Sequence, residues 1–170
     1  MRAVFVGAAM VFAMSIPAIS GPSGGSHGSD HGAGHGMDHS AMMTAGMPGN
    51  KAEARRAIRV KMKETDDGEM IFTPNSFNVK KGETVRIKIS NRGELEHEFV
   101  LDTRENNQIH KELMAKRPDE NAHQMPNAIT LQPGEKGEIV WTFSNAGEFE
   151  FACLILGHYE SGMFGTASVS

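Results

Sequence analysis

Ala-Ile-Arg-Val-Lys-Met-Lys, residues 57–63, gives the clearest indication of the fold class. Apolar and cationic side chains alternate along it, a pattern typical of a β-strand with one face against a core and the other in water. Val-Arg-Ile-Lys-Ile, residues 85–89, repeats the alternation. Both segments therefore predict half-exposed strands of one β domain.

Short runs of the same kind continue outward from these segments, at residues 98–101, 138–143, 148–153 and 166–169. Turn sequences rich in Gly, Asn, Asp and Pro separate the runs. They are Asp66-Asp67-Gly68, Lys80-Lys81-Gly82, Asn91-Arg92-Gly93, Gln132-Pro133-Gly134 and Asn145-Ala146-Gly147. Many short strands at this spacing predict an all-β sandwich or barrel with antiparallel pairing over residues 54–170.

One polar stretch, residues 103–127, interrupts the strand pattern. Within it, Ile109 to Lys116 predicts one or two helical turns, which end before Pro118 because proline cannot continue a helix. The side chains in this insertion that can bind metal are His110, Met114, His123 and Met125. A second metal site is one interpretation of these four residues, and ordinary solvated side chains on a polar loop are the other.

Composition and charge narrow the class of protein. The chain has 170 residues, with 17 basic and 21 acidic side chains and a formal charge of -4. That length suits one ordinary domain, and without a long Lys/Arg run we expect no nucleic-acid partner. Eight His and 12 Met accompany one Tyr and one Trp. Because imidazoles and thioethers bind soft and borderline metals, this composition favours metal chemistry.

Residues 1–20 have the organisation of a secretory signal peptide. Arg2 precedes an apolar run from Ala3 to Ile16, and Pro17 leads into the small-residue stretch Ala-Ile-Ser. The run is shorter than the roughly 20 residues that a helix needs to cross a bilayer. We therefore expect export to the periplasm and no membrane span after cleavage, and an uncleaved N-terminal anchor is the alternative.

Residues 21–53 form a tail rich in Gly, Ser, His and Met. It has too few apolar side chains to offset the entropy of ordering, so we predict disorder. Its candidate copper-capturing residues are His27, His31, His35, His39, Met37, Met42, Met43 and Met47. Interspersed glycines disfavour a helix, and imidazole suits Cu(II) while thioether suits Cu(I). A flexible copper chelator is thus predicted, with a solvated linker as the alternative.

The single cysteine, Cys153, is informative in an exported chain. Cysteines in an oxidising compartment are usually paired, and one alone cannot form an intramolecular disulfide. Two interpretations remain, a buried free thiol that packs as a small apolar side chain and a thiolate that binds metal.

Cys153, His158 and Met163 lie within eleven positions at the end of a predicted strand, so one loop can wrap an ion. His97 is the candidate fourth ligand because it begins the strand that follows the turn at Gly93. Two imidazoles and a thiolate with a weak axial thioether form the donor set that holds copper for one-electron transfer. Zinc is less favoured, since its structural sites prefer several thiolates and gain little from a thioether.

Two parts of the sequence resemble the cupredoxins. The segment from Phe72 to Val85, followed by Asn91 and His97-Glu98-Phe99, is similar to the first half of the cupredoxin pattern, and the Cys-x4-His-x4-Met loop is similar to the second. The spacing in this loop is nearer to rusticyanin-like and auracyanin-like members than to plastocyanin. Residues 151–163, Gly-Glu-Ile-Val-Trp at 137–141 and the His/Met-rich leader resemble the bacterial copper-tolerance cupredoxins of the CopI family.

The resemblance implies a Greek-key β-sandwich with one type 1 copper. Its ligands are then His97, Cys153, His158 and Met163, and a green site is suggested rather than a blue one. The chain departs from many cupredoxins in having Glu98, flanked by Glu96, where Asn or Ser follows the first histidine. Our hypothesis is that an ionised carboxylate here favours Cu(II) over Cu(I) and lowers the reduction potential.

Two functions fit these observations. The first is a periplasmic copper-tolerance protein, whose tail captures excess ions while its centre cycles between Cu(I) and Cu(II). The second is a soluble electron carrier that docks a redox partner transiently. A β-sandwich without metal is a third, of another class. No paired carboxylates, activated nucleophile or phosphate loop indicates an enzyme, and we expect a monomer.

Overall fold

Ten strands and one helix are formed by the residues that the computed structural model describes, 44–116 and 125–170. The strands are β1 (Met47–Pro48), β2 (Arg56–Glu64), β3 (Met70–Thr73), β4 (Ser76–Val79), β5 (Thr84–Asn91), β6 (His97–Asp102), β7 (Ala128–Leu131), β8 (Lys136–Thr142), β9 (Gly147–Ala152) and β10 (Phe164–Val169). The helix, α1 (Arg104–Lys116), lies between β6 and β7 in the chain.

The strands form two five-stranded sheets, in the orders β1-β8-β5-β2-β3 and β4-β10-β9-β6-β7. The predicted all-β sandwich with a short helical insertion is confirmed. Its pairing is not wholly antiparallel, because β2 pairs in parallel with β5, and β4 with β10. Parallel neighbours need a long crossover connection, and between β2 and β5 the chain supplies it through β3 and β4.

The core between the sheets is built by the predicted alternation. In β2 every second side chain from Ile58 to Met62 is buried, and β5 repeats this from Val85 to Ile89. From the other sheet, the rings of Phe99 and Phe151 stack with their centroids 5.3 Å apart. Burial of this apolar surface is the main favourable contribution to folding.

Strand β6 differs from the others because all six of its residues are buried. Its inner face contributes Phe99 and Leu101 to the core, while Val100 on the outer face packs with Ala152 and Leu154 in a second, smaller cluster. This cover on both faces also removes the first residue, His97, from solvent.

Helix α1 begins five residues earlier than the predicted start at Ile109. The reason is an N-cap that the sequence analysis did not recognise. Thr103 Oγ1 accepts a hydrogen bond of 3.1 Å from the backbone N–H of Asn106, and Asp102 Oδ1 accepts one of 2.8 Å from the Asn106 side chain. The Thr103 cap satisfies a backbone donor that the first turn leaves unpaired, and Asp102 holds the Asn106 side chain beside it.

The buried carboxyl group of Asp102 is expected to make the stability of the fold depend on pH. Burial raises its pKa from 3.8 to about 6, although Asn106 and the Thr103 N–H oppose the rise. The folded state therefore keeps a proton that the unfolded chain loses, so this group lowers stability as pH rises from 3.8 to about 6. We expect Asp102→Asn to be more stable than wild type at pH 7, by on the order of 1–3 kcal/mol, and similar at pH 3.5. Urea unfolding at both values tests this, and a variant whose advantage does not change with pH contradicts it.

The N-terminal boundary of the folded part also differs from the prediction. Residues 44–53 belong to the stretch predicted to be disordered, yet Met47 and Pro48 pair with β8. The Trp141 indole donates a 3.3 Å hydrogen bond to the carbonyl oxygen of Ala45, which is fully buried. Pairing with β8 covers backbone groups that an open sheet edge leaves exposed. Disorder is therefore wrong for these residues, and the fold begins before residue 54.

Several predicted features lie outside the described residues. These are the signal peptide, tail residues 21–43 with all their predicted copper-capturing side chains, and His123 of the insertion. Of the predicted tail ligands, only Met47 is described, on β1 and about half exposed. Within the described part of the chain, no helix is both long enough and apolar enough to span a membrane.

Candidate metal centre

The candidate ligands come together where two strands of one sheet meet. His97 is the first residue of β6, and Cys153 directly follows the last residue of β9. The two strands are antiparallel neighbours, so the start of β6 lies beside the end of β9. His158 reaches the same place from the loop between β9 and β10.

The three donor atoms converge closely. His97 Nδ1 lies 3.3 Å from His158 Nδ1, and Cys153 Sγ lies 3.4 Å from that same His158 nitrogen. All three donors lie within 4.8 Å of one another, and this is the one group of three or more His, Cys, Asp or Glu side chains so arranged among residues 44–116 and 125–170. His97 and Cys153 are fully buried, and His158 is 8% exposed.

The loop from Cys153 to Met163 is closed by its own backbone. The Cys153 N–H donates to the Met163 carbonyl oxygen at 3.0 Å, and the Met163 N–H donates to that of His158 at 3.1 Å. Gly162, with φ of +95°, supplies a left-handed conformation that other residues rarely adopt. The fully buried Met163 is thereby held next to the residues that carry the other donors.

The sulfur of Cys153 accepts a backbone hydrogen bond, 3.3 Å long, from the N–H of Glu98, and the backbone of Ile155 also hydrogen-bonds to it. Burial raises the pKa of the Cys153 thiol to about 12, against the opposing effect of that N–H. The thiol is therefore protonated near neutral pH, and a bound metal ion has to stabilise the thiolate before it can act as a ligand.

The surroundings of both imidazoles favour the neutral form, which is the form that binds metal. Burial lowers the pKa of His97, although the carboxylate of Glu64 opposes this. Burial also lowers the pKa of His158, and the repulsion it would meet from a protonated His97 lowers it further. Each ring is thus uncharged near neutral pH and offers a lone pair to a metal.

Sequence reasoning missed one member of the site, Glu64. This last residue of β2 comes from the opposite sheet, and its Oε1 lies 2.9 Å from His97 Nε2. Glu64 is 33 residues before His97, at the end of a strand with no motif around it. No local pattern in the sequence marks this contact.

The sequence suggested that Glu98 tunes the reduction potential. In the structure, Glu98 contacts the Cys153 sulfur through its backbone N–H. Its side chain is buried, and strand alternation puts it on the face of β6 opposite His97. Because any residue but proline supplies the N–H at this position, glutamate can stand where many cupredoxins have Asn or Ser.

The alternative second site in the insertion gains no support from the described residues. His110 is buried in α1, and Met114 and Met125 are half-buried. His110 belongs to no cluster of three or more His, Cys, Asp or Glu donors in the described ranges.

The donor set discriminates between metals. Neutral imidazoles and a thiol suit copper or zinc and exclude magnesium and calcium, which take oxygen ligands. Two imidazoles, one sulfur and a nearby buried methionine match the donor types of mononuclear copper sites better than those of structural zinc sites. The residues present therefore fit copper.

A two-sheet β-sandwich whose two histidines and one cysteine converge beside a buried methionine defines the cupredoxin class. The family model of the plastocyanin/azurin copper-binding proteins matches residues 58–170. The chain belongs to this family, and copper is its cofactor.

Individual relatives make the comparison more specific. The chain is 47% identical over 124 residues to the copper-resistant cuproprotein CopI of Rubrivivax gelatinosus, covering 73% of this chain and 72% of that protein. It is 32% identical over 152 residues to the copper-resistant cuproprotein CopI of Pseudomonas aeruginosa, covering 73% and 81%. The resemblance to this group is confirmed. The structure of auracyanin B shares the fold, with a TM-score of 0.58 and 21% identity over 74% of this chain and 96% of that one.

Proposed function

We propose that the chain is an exported copper-tolerance cupredoxin of the periplasm. In this proposal His97, Cys153 and His158 bind one copper ion, with Met163 as a weak fourth ligand. The observation that carries it is the convergence of three buried donor atoms within 4.8 Å of one another. The name of the CopI relatives, copper-resistant cuproproteins, supports the physiological role.

The scaffold suits a centre that changes oxidation state with little movement. Copper bound there supplies a one-electron Cu(I)/Cu(II) couple. His97 and Cys153 adjoin paired strands, and His158 and Met163 belong to a loop whose ends are joined by hydrogen bonds. Ligands held this way require little reorganisation when an electron arrives or leaves.

The same ligand set argues against an enzyme. Four protein ligands fill the coordination positions that a catalytic metal site leaves open to water or substrate. We therefore propose copper binding and redox cycling without turnover of an organic substrate.

The tail is proposed to capture additional copper before or after the centre is filled. We expect deletion of residues 21–43 to keep the visible spectrum of the centre, lower the copper bound per chain and reduce copper tolerance in cells. The deletion stops at residue 43 because Ala45 and Met47 contact β8.

A tail of unchanged length with serine replacing its His and Met residues is the matched control, since it separates ligand loss from shortening. Metal analysis of purified protein and growth in copper measure the two effects. Unchanged copper content in both variants would remove the tail from the proposal.

The electron carrier remains the second candidate because two apolar residues near His158 are exposed, Leu156 by 80% and Phe164 by 45%. Exposed apolar side chains of this kind suit weak, short-lived docking of a redox partner by a monomer. If this function is the main one, the tail deletion leaves copper tolerance unchanged, whereas Leu156→Ser slows reduction by the partner.

A further inference from the structure

Glu64 joins the two sheets at the metal centre. Besides the 2.9 Å contact with His97 Nε2, its carboxylate accepts the backbone N–H of Glu94 at 2.9 Å and that of Leu95 at 3.0 Å. These residues belong to the segment that leads into β6. One carboxylate on the first sheet thus holds both a candidate ligand on the second sheet and the turn before it.

The turn itself is shaped to admit this carboxylate. Asn91 shapes the turn from within, since its side chain donates to the Leu95 carbonyl oxygen at 2.7 Å and accepts from the Gly93 N–H at 2.9 Å. A Cβ atom at Gly93 would lie 2.7 Å from Cδ of Glu64, closer than real contacts allow. Glycine at this position therefore leaves the space that Glu64 occupies.

We propose that Glu64 is a positioning residue of the copper site and the carboxylate that favours Cu(II) there. This inference rests on the proposed function, in which His97 is a ligand. By accepting the hydrogen of His97 Nε2, Glu64 fixes the tautomer whose Nδ1 lone pair faces His158 and Cys153. The tuning role suggested for Glu98 from the sequence stays a separate prediction.

Two physical effects follow from this position. A carboxylate that accepts from a metal-bound imidazole fixes the ring and raises its basicity, and loss of such a partner typically costs 10- to 100-fold in metal affinity. A negative charge one imidazole away also stabilises the more highly charged Cu(II) more than Cu(I). Glu64 therefore lowers the reduction potential.

Two substitutions separate position from charge. Glu64→Gln keeps an oxygen that can accept from His97 and Leu95 but loses the charge and the acceptor for the Glu94 N–H. We therefore expect one bound copper, a wild-type visible spectrum and a higher reduction potential. A tenfold shift in the Cu(II) to Cu(I) affinity ratio corresponds to about 59 mV. Glu64→Ala removes both, and we expect Cu(II) affinity to fall 10- to 100-fold and the paramagnetic resonance hyperfine splitting to change.

Glu69→Gln is the matched control, because it removes the same charge from an exposed residue five positions along the chain. We expect it to behave as wild type. Gly93→Ala leaves the carboxylate in the chain but obstructs its place, so its Cu(II) affinity should fall as in Glu64→Ala. Circular dichroism of the metal-free proteins establishes whether each variant folds. If Glu64→Ala does not fold, the reduction potential of Glu64→Gln still tests the inference.

The outcomes distinguish this inference from the proposed function. A wild-type protein that binds no copper overturns the proposed function itself. If wild type binds copper and Glu64→Gln has the same potential as Glu69→Gln, the inference about Glu64 is wrong and the proposed function stands.

Discussion

Replacing Cys153 with serine is expected to abolish the intense visible absorption of the copper-loaded protein and to lower its copper affinity by at least 100-fold. The thiolate is the one anionic donor among the proposed ligands, and a strong charge-transfer band requires it. A serine hydroxyl is far less acidic than a thiol and stays protonated beside copper. Copper titration followed by visible and paramagnetic resonance spectra measures both effects.

Met163→Leu is the matched comparison, since it changes the other buried sulfur among the proposed ligands, in the same loop, but leaves the two imidazoles and the thiolate. We expect this variant to keep an intense band and to shift the reduction potential upward. Retention of the intense band in Cys153→Ser, with metal-free circular dichroism like that of wild type, would falsify the assignment of Cys153 as a ligand.

The second large effect is expected on stability, from Phe151→Ala. The Phe151 ring is fully buried, and its centroid lies 5.2 Å from those of Phe72 and Phe77 and 5.3 Å from that of Phe99. Truncation of such a side chain leaves a cavity and costs about 3–5 kcal/mol. Because a domain of this size is stable by about 5–15 kcal/mol, a large share of the free energy of unfolding is lost. Urea unfolding of the metal-free protein measures it.

Phe164→Ala provides the control on the neighbouring strand. This ring is 45% exposed and stacks on Tyr159 with the centroids 5.0 Å apart. With little core volume removed, we expect a loss of about 1 kcal/mol. Equal losses in the two variants would show that the aromatic cluster does not carry the stability attributed to it.

Phe151 also lies two residues before Cys153, so we expect Phe151→Ala to bind copper less tightly than Phe164→Ala.

Local sequence patterns predicted the structure correctly where that structure depends on residues close together in the chain. Alternation identified β2 and β5, because a side-chain period of two decides which face enters the core. The spacing from Cys153 to Met163 identified a loop that can wrap an ion, and the position of His97 at a strand start added the distant donor. The structure brings Cys153, His158 and His97 together.

The predictions from sequence were wrong where a segment is ordered by contacts with residues distant in the chain, or where a helix cap was not recognised. Residues 44–53 have the composition of a flexible tail, but the Trp141 indole and the edge of β8 order part of them. Helix α1 starts early because Thr103 Oγ1 accepts a backbone N–H of the first turn and Asp102 binds the Asn106 side chain, and their effect outweighs the weak propensity of the residues between Arg104 and Gln108.

The fold class and the chemical types of the metal donors are readable from the amino-acid sequence, because both follow from periodicity and from spacing within short segments. The contact between Glu64 and His97, in contrast, is visible in the three-dimensional structure alone. That contact joins the end of a strand in one sheet to the start of a strand in the other, so it depends on how the sheets pack and on the space left by Gly93. The carboxylate closest to the proposed ligand is therefore set by packing, which no local pattern encodes.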